Sequence, residues 1–132
     1  MNLDNLHLIN KIFNSETIRT VWDKDEEQYY ISIVDIVSVI SKSKDGRKYW
    51  NKLKQRLKEE GNETVTNCHQ LKLKAEDGKY RMTDVCDIEG MFRIIESIPS
   101  KNAEPIKMWL AKLGKERIDE TFDPSISIQR AI

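Results

Sequence analysis

Asp77-Gly78-Lys79 is the fragment of this chain closest to catalytic chemistry. It fits the Asp-x-Lys element of metal-dependent nucleases, and Asp84 and Asp87 follow close behind. Carboxylates holding a divalent cation beside a lysine would serve phosphodiester cleavage. Each acid also has a simpler use. Asp-Gly is a turn pair, and Asp84 stands where a helix cap is expected. Catalysis needs convergent, perturbed groups, and the spacing points to none. Cys68-His69, with Cys86 and His7 far off in sequence, is no zinc-ligand pattern. The serines sit in caps and loops, neither histidine has an evident partner, and no glycine-rich phosphate loop exists. The expectation is a protein without catalytic residues, metal or cofactor.

The chemistry that does stand out is ionic. Residues 42–58 hold eight cations (Lys42, Lys44, Arg47, Lys48, Lys52, Lys54, Arg56 and Lys58) against one acid, Asp45. The whole chain has 22 basic and 22 acidic residues, so this stretch stands at +7 and the remainder at −7. Such segregation in a neutral protein points to an anionic partner, most often nucleic acid. A lysine-rich solvated helix face is the plainer alternative. Trp22, Trp50 and Trp109 could stack on bases, but each falls on a core-facing position of its element.

The elements that would position these residues read as follows. Ile18–Trp22 and Gln28–Ile31 are β-branched and aromatic runs around the polar turn Asp23–Glu27, hence a hairpin. Lys11–Phe13 is a possible earlier strand, joined through Asn14–Glu16. Ser32 with Asp35 gives a capping-box start to a short apolar helix over 33–41. After a six-residue loop, Ser41–Gly46, a helix runs from Arg47 to Glu60, with Trp50, Leu53 and Leu57 on its core face and Gly61 as its stop. Residues 61–67 read as loop. His69–Ala75 and Lys79–Met82 form a second hairpin about a tight Asp77-Gly78 turn. Leu71, Leu73, Tyr80 and Met82 are expected inward, with Lys72, Lys74, Lys79 and Arg81 on the opposite face. Four cations there form a second basic surface, since like charges across strands are otherwise destabilising. Thr83 or Asp84 caps a helix ending before Pro99. Asn102 caps the last helix, whose apolar stripe is Ile106, Trp109, Leu110, Leu113 and Ile118, and Asp123-Pro124 opens one more turn. Gly90 and Gly114, inside these helices, suggest close packing.

The fold class is therefore α+β: small antiparallel hairpins with about four helices, in the order β-β-α-α, β-β-α-α. Tyr30–Ile36 and Tyr80–Ile88 echo each other, as a duplicated unit or as two uses of one capping chemistry. At 132 residues the chain makes one domain and buries roughly two-thirds of its unfolded surface. A charged fraction of 33% with regular apolar spacing excludes a disordered chain. No apolar run reaches spanning length, and residues 1–7 lack the features of a signal peptide. Two cysteines in an intracellular setting are expected as free thiols. Residues 1–8 are expected to be a flexible N-terminus, 9–122 the domain, and 123–132 the start of a C-terminal extension. The apolar end at Ile132 suggests the N-terminal piece of a longer protein.

Several segments together resemble a known family. They are Ile18–Asp23, Tyr30–Ile36, Arg47–Trp50 with Leu53-Lys54, Leu71–Ala75, Asp77–Val85, and Ile98–Ser100 through Ala103–Pro105 to Trp109–Lys112. Their order and spacing are similar to the BRO family N-terminal domain of phage antirepressors, of damage-inducible bacterial proteins and of large DNA viruses. The likeness covers about residues 9–130. It implies a compact α+β domain, a DNA-related regulatory role, a phage or prophage context in the cytoplasm of a bacterial host, and no catalytic chemistry. Site residues must then come from charge and position. Helix 33–41 and helix 47–60 can act as a helix-turn-helix-like pair, whose second helix presents its first residues to base edges. Lys44, Arg47, Lys48 and Asn51 would read bases, Arg on guanine and Asn on adenine. Lys52, Lys54, Lys72, Lys74 and Arg81 would hold phosphate, and Lys42 joins them as a DNA-contacting residue. The alternative is an interaction module that binds a repressor protein without touching DNA. Oligomeric state is not readable.

Overall fold

The structure is a computed structural model and describes residues 9–10, 13, 18–62 and 68–122. The elements run β1 Thr20–Asp23, β2 Gln28–Ser32, α1 Ile33–Ser41, α2 Gly46–Glu59, β3 His69–Lys74, β4 Tyr80–Cys86, α3 Ile88–Ser97, a 3₁₀ turn Lys101–Ala103, and α4 Glu104–Phe122. The expected β-β-α-α, β-β-α-α order holds.

Two hairpins meet at their second strands to make one antiparallel sheet in the order β1-β2-β4-β3. The junction is short, Ile31 opposite Cys86 and Ser32 opposite Val85. Past it, β3–β4 continues as an arm beyond the end of β2. Each second strand turns straight into a helix through a side-chain cap. Ser32 Oγ accepts from Asp35 N–H at 3.4 Å, and the Asp87 carboxylate accepts from Gly90 N–H at 2.8 Å. Side-chain caps thus sit at matching places in the two halves.

The main core lies between one sheet face and the helices. Ile31 and Cys86 enter from the sheet, Ile33, Ile36, Val37 and Ile40 from α1, Met91, Ile94 and Ile95 from α3, and Trp50, Leu53 and Leu57 from α2. Each such side chain contributes about 1.5–3 kcal/mol by leaving water. Tyr30, Leu73 and Val85 form a smaller cluster on the other sheet face. α1 and α2 approach closely because Gly46 has no side chain: a Cβ there would lie 1.8 Å from Ser38 Oγ.

Several expectations are corrected. Phe13 is not in a strand: its N–H donates to Ile9 C=O at 3.1 Å, one helical turn back. The rest of that segment, residues 1–8, the 63–67 part of the predicted loop and the turn at Asp123 lie outside the described residues. The capping box at Ser32 is one-sided. Ser32 N–H donates to Arg19 C=O at 3.0 Å, while the Asp35 carboxylate is taken by Arg19. β4 runs on to Cys86, so Asp87 and not Thr83 or Asp84 caps α3. Ser100 caps the 3₁₀ turn that leads into α4, displacing Asn102. Ile118 is exposed rather than part of an apolar stripe. Of the two glycines expected to pack closely, Gly90 is tight, since a Cβ there would lie 2.9 Å from Cys86 Cβ, and Gly114 has open space.

The parity of the second hairpin is also reversed. Leu73 lies opposite Arg81 and Leu71 opposite Thr83, while Lys72 lies opposite Met82 and Lys74 opposite Tyr80. Opposed residues share a face, so Tyr80 and Met82 stand with the lysines, and Arg81 does not. The cause is the turn. Ala75 N–H donates to Lys79 C=O at 2.8 Å and Gly78 N–H to Ala75 C=O at 3.0 Å, with Gly78 at φ 82°. This is a loop of Glu76, Asp77 and Gly78, one residue longer than the two-residue Asp-Gly form. A one-residue change of register moves every side chain to the other face.

Candidate nucleic-acid interface

The connection between α1 and α2 is four residues, Lys42–Asp45, not six. That length lies within the usual helix-turn-helix range. Lys42 closes α1 in the left-handed region at φ 57°, its N–H donating to Ser38 C=O at 3.0 Å. Asp45 opens α2 by accepting from Lys48 N–H at 3.0 Å. The turn is thus set by local backbone bonding, which leaves the Lys42 and Lys44 side chains exposed.

α2 divides by helical spacing into three faces. Trp50, Leu53 and Leu57 are buried. Lys48 and Lys52, four apart, are exposed on the outer face. Arg47, Asn51 and Lys54 line a groove of about 1020 Å³, whose far wall is the β3–β4 arm with Gln70, Lys74, Met82 and Asp84. Val34, Asp35 and Ser38 of α1 and Arg19 stand at one end.

Two polar clamps fix the width of this groove. The first is Asp84, whose carboxylate accepts from Trp50 Nε1 at 2.8 Å, Lys54 Nζ at 2.9 Å and Gln70 Nε2 at 2.9 Å. Burial pushes its pKa up, but hydrogen bonds from Trp50, Gln70 and Lys54 outweigh that and leave it below the ordinary carboxylate value. The second is Arg19, whose guanidinium grips both Asp35 oxygens at 2.8 and 3.0 Å and reaches Lys74 C=O at 3.1 Å. Its pKa is raised chiefly by the hydrogen bond to Asp35. The second clamp ties the arm to the start of α1. Sequence reading missed both, although an arginine inside the β-branched run Ile18–Val21 was a signal available to it.

The expected site residues divide accordingly. Lys42, Lys44, Arg47, Lys48, Asn51, Lys52, Lys72 and Lys74 are all exposed. The ion pairs of the described residues take up Arg19, Lys54, Arg56, Arg81, Lys115 and Arg117, and leave those cations unengaged. Lys54 is spent on Asp84. Arg81 is paired with Asp77 and lies on the other face from Lys72 and Lys74, so the expected acid-free face of four cations does not form. Trp50 is 2% exposed and cannot stack on a ligand. Trp22 packs edge-on against Tyr29 at 4.9 Å, and Trp109 packs on the core.

The acids near Asp77 serve separate structural ends. Asp77 accepts from Lys79 N–H at 3.0 Å and pairs with Arg81, Asp84 is the clamp, and Asp87 is a cap. Burial raises the Cys68 thiol to about 11 and pushes Cys86 well above its ordinary value, so neither is a thiolate at neutral pH.

These features define an α+β domain in which a helix pair and a hairpin arm flank a groove bordered by free cations. The chain belongs to the BRO family: the BRO family, N-terminal domain, matches residues 17–117. No match was found among curated proteins or among solved structures. No helix of the described residues is long and apolar enough to cross a membrane.

Proposed function

We propose that this chain is a DNA-binding domain of a phage or prophage antirepressor-like regulator, working in the host cytoplasm by binding and not by catalysis. The observation that carries this reading is the start of α2. A four-residue turn delivers Arg47, Lys48, Asn51 and Lys52, exposed and outside the ion pairs of the described residues, with Arg47 and Asn51 facing Lys74 across a groove. Arg47 and Asn51 are of the types that read guanine and adenine edges, and the surrounding lysines suit phosphate.

The test is a DNA shift assay across salt concentrations. If four to six phosphates are engaged, the log–log slope should be roughly −4 to −5. Arg47→Glu with Lys48→Glu should abolish binding. Lys112→Glu with Lys115→Glu, an equal change in net charge on α4, should matter far less. Equal losses from both pairs would rule out a localised site. A second reading, capture of a repressor protein, draws on Met108 and Ile118, exposed on α4. Folded protein without salt-sensitive DNA binding, together with a repressor recovered from the host after nuclease treatment, would favour it.

A further inference from the structure

The outer part of the β3–β4 arm carries a surface that phosphate contacts leave unexplained. Tyr80 is 67% exposed and Met82 55%. In the strand register Tyr80 lies opposite Lys74 and Met82 opposite Lys72, so all four side chains share one face. Directly opposed Cβ atoms stand about 5 Å apart and diagonal ones about 7–8 Å. The patch is therefore about the size of one or two nucleobases. It pairs a ring and a thioether with two ammonium groups that no ion pair among the described residues uses. It is also continuous with the groove, because Met82 and Lys74 line the wall facing Arg47 and Asn51.

A nucleotide offers the matching chemistry, an apolar π-face beside a phosphate. In a paired duplex both faces of each base are covered by stacking. A side chain reaches the face of a paired base only by wedging a step open, at a cost of a few kcal/mol, whereas an unpaired base offers its face directly. Backbone cations alone would need neither Tyr80 nor Met82 in water. We propose that this face of the arm is a stacking platform for an unpaired base, so that the domain binds DNA containing an unpaired stretch more tightly than a fully paired duplex. The inference rests on the DNA reading above and divides the labour: α2 holds the duplex, and the arm takes the exposed base.

The experiment compares a fully paired duplex with the same duplex carrying a short central mismatch bubble, 2-aminopurine marking one unpaired position. The bubble should bind about tenfold more tightly, and its fluorescence should be quenched as the reporter stacks. Tyr80→Ala should remove both the preference and the quench while changing paired-duplex affinity little. Tyr80→Phe, which keeps the ring, should restore both. Tyr80 is exposed, so thermal melting should match the wild type and exclude misfolding as the cause. Equal wild-type affinity for the two probes, or a preference that survives Tyr80→Ala, overturns the platform. If Arg47→Glu with Lys48→Glu still abolishes binding to both probes in that case, the DNA reading stands without it. Absence of salt-sensitive binding to either probe overturns the DNA reading itself.

Discussion

Asp84 joins α2 to both strands of the arm with a single carboxylate, through Trp50, Lys54 and Gln70. Its pKa is lowered in the fold. A depressed carboxylate contributes stability that is full above the unfolded value, about 3.9, and is lost as pH falls through the folded value. Asp84→Asn should therefore be less stable than wild type at neutral pH, by about 1–2 kcal/mol after solvent screening. Denaturant titrations should show that gap closing below about pH 4. The same change removes an acid from the groove and frees Lys54. DNA affinity should then rise, with a salt slope steeper by about 1. At this scale sequence made part of the candidate site legible. Lys44, Arg47, Lys48 and Asn51 follow from their place at the start of a helix whose core face is plain. Lys54 does not, because its partner lies 30 residues away, across a contact that only the folded arm creates.

The elements themselves were legible wherever periodicity spoke. α1, α2 and the core stripes follow from apolar spacing, and the two-hairpin plan from turn residues. The arm was misread because Asp77-Gly78 suits two-residue and three-residue loops alike, and the choice is made by backbone bonding between Ala75 and Lys79. Gly78 at φ 82° remains the sensitive position. Gly78→Val should cost about 1–3 kcal/mol, and an unchanged melting curve would exclude the left-handed turn. Gly46→Ala drives a methyl group toward Ser38 Oγ and Val34 C=O, and should cost about 1–3 kcal/mol by forcing α1 and α2 apart. Lys42 offers the opposite case. It occupies a left-handed cap that glycine would fill without steric cost. Lys42→Gly should raise stability by a few tenths to about 1 kcal/mol while weakening DNA binding by one phosphate contact, so melting temperature and affinity should move in opposite directions.

For the molecule as a whole, the charge segregation seen in sequence becomes spatial only in part. The +7 of residues 42–58 is reduced where Lys54 meets Asp84 and Arg56 reaches Glu60 and the Ser97 carbonyl. What remains is concentrated at the turn and the start of α2, with Lys72 and Lys74 on the arm. The two β-β-α-α halves meet through only two opposed pairs of residues in the sheet, and the groove needs elements from both. Neither half contains the whole candidate site, which is why no single short motif marks it.

The sheet order leaves β3 last, and no described strand pairs with its outer side. Such a row of free amide and carbonyl groups is a template for self-association. His69-Gln-Leu-Lys-Leu-Lys74 is protected by its alternating lysines, which make it a poor candidate for stacking into fibrils. The lysines proposed to contact phosphate therefore also guard this open edge. Lys72→Val with Lys74→Val should leave the fold intact yet produce concentration-dependent aggregation by light scattering. Under the proposed function the lysines of this strand are thus doubly constrained, once by phosphate and once by the need to repel other copies of the same strand.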